Sequence, residues 1–153
     1  MLKKGDLAPN FELKDHNDEL VSLSRLLENG PVVLYFYPAD FTPMCTSEAC
    51  AFRDQHDDLA RLNVQVVGVS PQNRSSHKRF AEAFSLPFPL LCDTRKTAIR
   101  AYGVDGPLGF GVRRVTYLIE PAGKISNRVV SDLFLGSHIA LIEEVLKTAE
   151  PAA

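Results

Sequence analysis

The stretch from Pro31 to Arg53 constrains this chain most, because it joins a buried strand to a cysteine at the head of a helix. Val32 to Tyr37 is six apolar or aromatic residues led by β-branched valines, the pattern of a strand covered on both faces. Pro38 stops it. After a short polar turn come Pro43, Cys45, Thr46, Ser47, Glu48, Ala49 and Cys50, which read as the opening turns of a helix running towards Leu62. Thr42 or Asp40 suits its cap and Pro43 its first position, and Glu48 is expected to complement the positive helix end. A sulfur placed there is favoured as thiolate over thiol, which makes Cys45 a candidate nucleophile; a buried, inert cysteine is the plainer reading.

Length and composition narrow the classes. At 153 residues the chain is expected to form a single domain, residues 1–153, with a core that needs no staples. It is 45% hydrophobic and 24% charged with a net charge of −2, the balance of an ordinary soluble protein, and nothing in it calls for nucleic acid. The cluster His77-Lys78-Arg79 reads as a solvated helix face. The two early lysines are followed by no apolar signal region, and no run approaches the roughly 18 apolar residues of a membrane span. A cytoplasmic protein without membrane contact is expected. Three cysteines in a reducing compartment point to catalysis, metal binding or inert burial, not to a disulfide framework.

Along the chain, Asn10 to Leu13 and Glu19 to Leu23 read as a hairpin around His16-Asn17-Asp18, followed by a helical turn at Ser24 to Glu28. Val64 to Ser70 is a second buried strand, completing a βαβ unit. Ser70 or Asn73 then caps a helix through Phe84. Leu90 to Asp93 is a short strand end, Arg95 to Tyr102 a helix ended by Gly103, and Gly103 to Gly111 a glycine-rich loop. That loop lacks a lysine-serine or lysine-threonine ending and a preceding strand, so it does not read as a phosphate cradle. Arg114 to Glu120 and Lys124 to Ser131 form an antiparallel pair across Pro121-Ala122-Gly123. Ser137 to Ala149 is an amphipathic helix with Ile139, Ile142, Val145 and Leu146 on its apolar side, and residues 150–153 a frayed tail. The fold class is α/β, a thioredoxin-like sandwich with a mixed central sheet flanked by helices and an N-terminal β-hairpin. In such sheets a site sits beyond the carboxyl end of a parallel strand, where Cys45 lies.

Pro38-x-x-x-Thr42-x-x-Cys45 directly after a buried strand resembles the signature of the peroxiredoxins. Its continuation TSEAC is similar to the peroxiredoxin Q, or bacterioferritin comigratory protein, subfamily. GDLAPNFEL, VVGVS, FPLLCD and RVTYLIEPAGKI look like family segments too, so the likeness runs over nearly the whole chain. The resemblance implies a thiol peroxidase acting on hydrogen peroxide and organic hydroperoxides. Cys45 matches the peroxidatic cysteine, whose thiolate takes the terminal oxygen and becomes a sulfenic acid. Thr42 matches the threonine that hydrogen-bonds thiolate and peroxide, Pro38 the covering proline, Arg114 the arginine that stabilises both charges, and Glu48 a glutamate of that network. Because Arg113 and Arg114 point to opposite faces of a strand, only one can serve the site, and the motif selects Arg114. Attack on an O–O bond needs no metal or organic cofactor.

Cys50 matches the subfamily's resolving cysteine, which condenses with the sulfenic acid to an intramolecular disulfide. Helical residues five apart have Cα atoms roughly 8–9 Å apart, beyond the ~7 Å a disulfide tolerates, so the helix start must unwind in each turnover. A thioredoxin-like dithiol is the implied reductant, and a monomer or weak homodimer the implied state. Cys92 reads as a buried spectator that could in principle compete for the resolving role. A thiol-disulfide oxidoreductase is the nearest rival, but Cys-x-x-Cys spacing is missing; a zinc site lacks ligand spacing; a non-enzymatic peroxide sensor could share every residue named.

Overall fold

The computed structural model describes residues 1–132 and 135–149, so the expected tail at 150–153 lies outside the described residues. The central strand forms as read, β3 at Val32–Phe36, with all five residues buried. It is preceded by a separate two-stranded hairpin, β1 (Glu12–Lys14) with β2 (Leu20–Ser22), and by helix α1 (Leu23–Leu27), whose cap Ser22 accepts from the Arg25 amide.

Around β3 the main sheet has the order β5-β4-β3-β6-β7, built from β4 (Gln65–Ser70), β5 (Leu90–Cys92), β6 (Val115–Ile119) and β7 (Ile125–Val130). The β3, β4 and β5 strands are parallel; β6 and β7 run antiparallel on the other side. β5 is a full member of the sheet, more than the strand end expected at Leu90 to Asp93.

The period of two along β3 divides the interior. Val32, Leu34 and Phe36 face a core completed by Val67, Val69, Ile99, Tyr102 and Tyr117. Val33, Tyr35 and Tyr37 face a second core with Cys45, Ala49, Phe52, Phe80, Leu141 and Ile142. The second core is covered by α2 (Pro43–Arg61), α3 (Arg74–Ala83) and α5 (Gly136–Ala149), while α4 (Thr97–Ala101) packs into the first. Gly68 lets the Tyr35 ring lie across β4: a Cβ there would sit 2.9 Å from Tyr35 Cζ and Leu90 Cδ2.

On α5 the apolar stripe is rotated by about one residue from the reading of the sequence. His138, Leu141, Ile142 and Val145 are buried, whereas Ile139 and Leu146 are only half-covered. A histidine therefore sits on the packed face.

Candidate active site

The antiparallel register of β3 and β6 ends with Phe36 opposite Val115. Arg114 therefore stands beside Tyr37, just where Pro38 turns the chain out of the sheet towards α2. That juxtaposition brings a residue sixty-nine positions away onto Cys45. Arg114 donates from Nη2 to Cys45 Sγ at 3.2 Å and from Nη1 to Glu48 Oε1 at 2.7 Å. Cys45 is 1% exposed, Glu48 1% and Arg114 4%, so this charge cluster is almost dry.

Local chain chemistry explains the position of Cys45. Thr42 is the extended residue before α2, Pro43 takes the first position, and the first intrahelical bond is Thr46 N–H to Thr42 C=O at 2.9 Å. The amides of Met44 and Cys45 belong to the first turn, whose N–H groups have no helical acceptor. Thr42 does not cap with its side chain; its hydroxyl donates to the Ala39 carbonyl at 3.0 Å. Its single hydrogen is thereby spent, and Thr42 Oγ1 offers lone pairs. Glu48 stands in the second turn and is not at the helix end; its work is with Arg114, since no acidic residue occupies the first turn. Cys50 is half-buried on the same unbroken helix, and all three cysteines are free.

Electrostatics separate these groups. Burial pushes Glu48 up to about 7 against the pull of the Arg114 charge and hydrogen bond. Arg114 is held above its ordinary value, because the attraction of Glu48 and Cys45 outweighs the burial that opposes its charge. Cys92, by contrast, is pushed up to about 11 by burial and by the charges of Asp40 and Asp15, which keeps it a thiol.

Two networks around the site escape a reading of the sequence. Under the loop from Pro38 to Thr42, Asp40 accepts from the Tyr37 hydroxyl at 2.7 Å and the Ser76 hydroxyl at 2.7 Å, and its Oδ2 lies 2.7 Å from His77 Nδ1. His77 is fully buried and bonds the Leu91 carbonyl through Nε2, so the cluster His77-Lys78-Arg79 is not a uniformly solvated face; Lys78 and Arg79 are exposed. Burial raises the Asp40 carboxyl, but the hydrogen bond and charge of His77, with Ser76 and Tyr37, outweigh it and leave the pKa lowered. This network braces Phe41, a non-glycine residue at φ 64° whose ring packs on Phe80 and Phe84. Such a backbone costs on the order of 1–3 kcal/mol and persists only where the surroundings hold it.

The second network lies behind Glu48. His138 Nδ1 is 2.7 Å from Thr116 Oγ1 and 3.7 Å from Glu48 Oε2, and its Nε2 is 3.0 Å from the Ser131 carbonyl. Asp132 ties the other side, accepting from the Arg114 amide and pairing with Arg113 at 2.8 Å. Histidine spacing was a usable signal: His77 precedes Phe80 and Phe84 at helical intervals, and His138 precedes Leu141, Ile142 and Val145. Among the described residues no group of three or more His, Cys, Asp or Glu is gathered to hold a metal.

Pro38 and Arg114 also line a cleft of about 720 Å³ whose far wall is the loop with Pro107, Phe110 and Val112. The site therefore has a buried sulfur at a helix start and one cation shared by sulfur and carboxylate, with the cleft beside that cation.

Comparison with known proteins agrees in family and in shape. The AhpC/TSA family model matches residues 4–128. A chloroplastic peroxiredoxin Q of Triticum aestivum is 39% identical over 150 residues, covering 94% of this chain and 68% of that one. The chloroplastic peroxiredoxin Q of Arabidopsis thaliana is 44% identical over 126 residues, 81% of this chain and 57% of the relative. Among solved structures, peroxidoxin BcpB from Mycobacterium tuberculosis superposes with a TM-score of 0.90 at 36% identity, over 99% of this chain and all of that one. Peroxiredoxin Q of Xanthomonas campestris does so at 0.82 and 26%, over 92% of each.

Proposed function

Because the chain belongs to the AhpC/TSA family, in its peroxiredoxin Q or bacterioferritin comigratory protein group, it is a thiol-dependent peroxidase, and we propose that Cys45 is its peroxidatic and Cys50 its resolving residue. The observation that carries this assignment is the Arg114 Nη2 to Cys45 Sγ contact of 3.2 Å in a nearly dry pocket. A hydrogen bond from a guanidinium favours the sulfur as thiolate, and the same cation meets the charge that grows on the leaving oxygen.

In the proposed cycle the Cys45 thiolate attacks the terminal peroxide oxygen, the O–O bond breaks, and Cys45 becomes a sulfenic acid. Thr42 Oγ1, with its hydrogen given to Ala39, accepts the peroxide O–H and orients it; first-turn amides of α2 donate to the oxygens. Pro38 covers the sulfur. Cys50 then attacks the sulfenic acid, water leaves, and a dithiol reductant of thioredoxin type reopens the disulfide.

Both hydrogen peroxide and organic hydroperoxides are proposed substrates. The cleft beside Arg114 supports the second class, with its Phe110, Pro107 and Val112 wall, and an alkyl peroxide reduction activity is described for the Xanthomonas campestris bacterioferritin comigratory protein. An intrachain disulfide needs no second subunit, which supports action as a monomer or weak homodimer. Work in a reducing cytoplasm is part of the proposal; among the described residues no helix is long and apolar enough to cross a membrane.

The test is thioredoxin-coupled peroxide consumption by the wild type and the Cys45→Ser, Cys50→Ser and Cys92→Ser variants. Cys45→Ser is expected to lose all peroxide reaction, Cys50→Ser to keep the first oxidation but lose turnover, and Cys92→Ser to behave as wild type. A single slow oxidation without turnover in the wild type would favour a peroxide sensor instead.

A further inference from the structure

The two oxygens of Glu48 have different surroundings. Oε1 receives Arg114, whereas Oε2 is buried with no hydrogen-bond partner among the described residues. His138 Nδ1, 3.7 Å from Oε2, has no hydrogen to offer. The Ser131 carbonyl only accepts, so His138 Nε2 carries the ring hydrogen, and Nδ1 takes the hydrogen of the Thr116 hydroxyl. Burial also lowers the pKa of His138, which favours this neutral form. An ionised Oε2 would lie in a dry pocket with no donor reaching it, and a proton on the carboxyl removes the cost of that unpaired charge.

Arg114 carries one positive charge and touches two groups that can each carry a negative one. The other ionisable groups do not relieve this. Tyr35, from β3, is held protonated by burial and by the neighbouring Glu48 and Cys45, and Asp132 is paired with Arg113.

We propose that Glu48 is a redox-linked proton site: it holds a proton while Cys45 is a thiolate and releases it when Cys45 is oxidised, so that Arg114 faces one anion in both states. His138 is the positioning residue, withholding a hydrogen bond from the ionised carboxylate. This rests on the peroxidase reading and adds the proton that the reading leaves unplaced. The sulfur forms its bond to the terminal oxygen as the O–O bond breaks, and the electron pair departs on an alkoxide or hydroxide. The Glu48 proton converts that anion to alcohol or water. Sulfur loses two electrons and the peroxide gains them. Cys50 next displaces water from the sulfenic acid using its own hydrogen, and when a dithiol regenerates Cys45 as a thiol, that proton returns to Glu48. A Glu48 pKa near 7 suits the exchange.

The experiment counts protons. Reduced protein is mixed with substoichiometric hydrogen peroxide near neutral pH in weakly buffered solution with an indicator dye, and proton uptake is read per disulfide formed. Wild type is expected to take up less than half a proton, Glu48→Gln close to one, and His138→Gln, whose amide can donate to Oε2, a value raised towards one. Uptake of one proton by wild type and Glu48→Gln alike overturns the proposal. Should Glu48→Gln not fold, the infrared C=O band of a protonated carboxylic acid is sought in reduced wild type carrying ¹³C-glutamate. Its loss on oxidation supports the proposal, and its absence from the reduced protein overturns it. Wild type that forms no disulfide with peroxide overturns the peroxidase reading itself, and the proton site with it.

Discussion

Ser47 lies on the exposed side of α2 between Cys45 and Cys50, and it offers a way to change the helix without touching the site. Cys45 and Cys50 both lie inside the unbroken helix Pro43–Arg61, with Cα atoms roughly 8–9 Å apart by helical geometry, against a limit of ~7 Å for a disulfide. Closing the bond therefore requires the helix start to open, which releases Cys45 from the second core and parts Arg114 from its sulfur. The opening equilibrium multiplies the rate of resolution. Serine is intermediate in helix propensity, and the span from alanine to glycine is about 1 kcal/mol, equivalent to about fivefold in an equilibrium constant. Ser47→Ala is thus expected to slow disulfide formation about twofold and Ser47→Gly to speed it by a similar factor, with the first oxidation unchanged in both. Rapid acid quench after a peroxide pulse, with mass spectrometry of sulfenic acid and disulfide, reads both steps. Slower resolution also leaves the sulfenic acid open to a second peroxide, so Ser47→Ala should accumulate more sulfinic acid. Equal resolution rates in the two variants, or a reversed order, would refute the claim that unwinding gates this step.

Other consequences concern charge. Replacing Arg114 by alanine removes the sulfur's donor and is expected to slow the first oxidation by about 10²–10³-fold, read by stopped-flow competition for hydrogen peroxide. Glu48 is raised from 4.5 to about 7, so the folded state binds its proton more tightly than the unfolded chain. Stability from this group is complete below pH 4.5, falls as pH rises to about 7, and is then constant. Denaturant titrations should show this loss, at most about 3 kcal/mol, in wild type and not in Glu48→Gln. The opposite sign holds for Asp40, whose lowered pKa gives stability present above its ordinary value of 3.8 and lost as pH falls through the folded value. Asp40→Asn should flatten that acid limb and loosen the Phe41 turn, with a net loss on the order of 1–3 kcal/mol at neutral pH measured by urea unfolding.

The strand, the proline stop and the helix carrying Cys45 were legible because they are local. A buried strand announces itself as an apolar run, and Thr42 and Pro43 mark a helix start within a few residues. Arg114 was reachable only through a family likeness, since its contact with Cys45 depends on the β3 to β6 register and not on sequence distance. The Asp40 to His77 bond spans 37 positions, and it forms because parallel β3, β4 and β5 bring α3 over the same sheet end. His138 was missed because the stripe on α5 was drawn through Ile139; a shift of one residue places the histidine inside. For Glu48 the local pattern suggests a partner for the helix end and the family likeness a place beside Arg114; it stands a turn too far along for the first and bonds the buried arginine.

The most direct measurement is peptide mapping of the wild type after one equivalent of hydrogen peroxide under non-reducing conditions. The expected product is an intrachain bond between Cys45 and Cys50, with Cys92 still a thiol as its raised pKa of about 11 implies. A bond from Cys45 to Cys92, a bond between chains, or oxidation that bypasses Cys45 would contradict it.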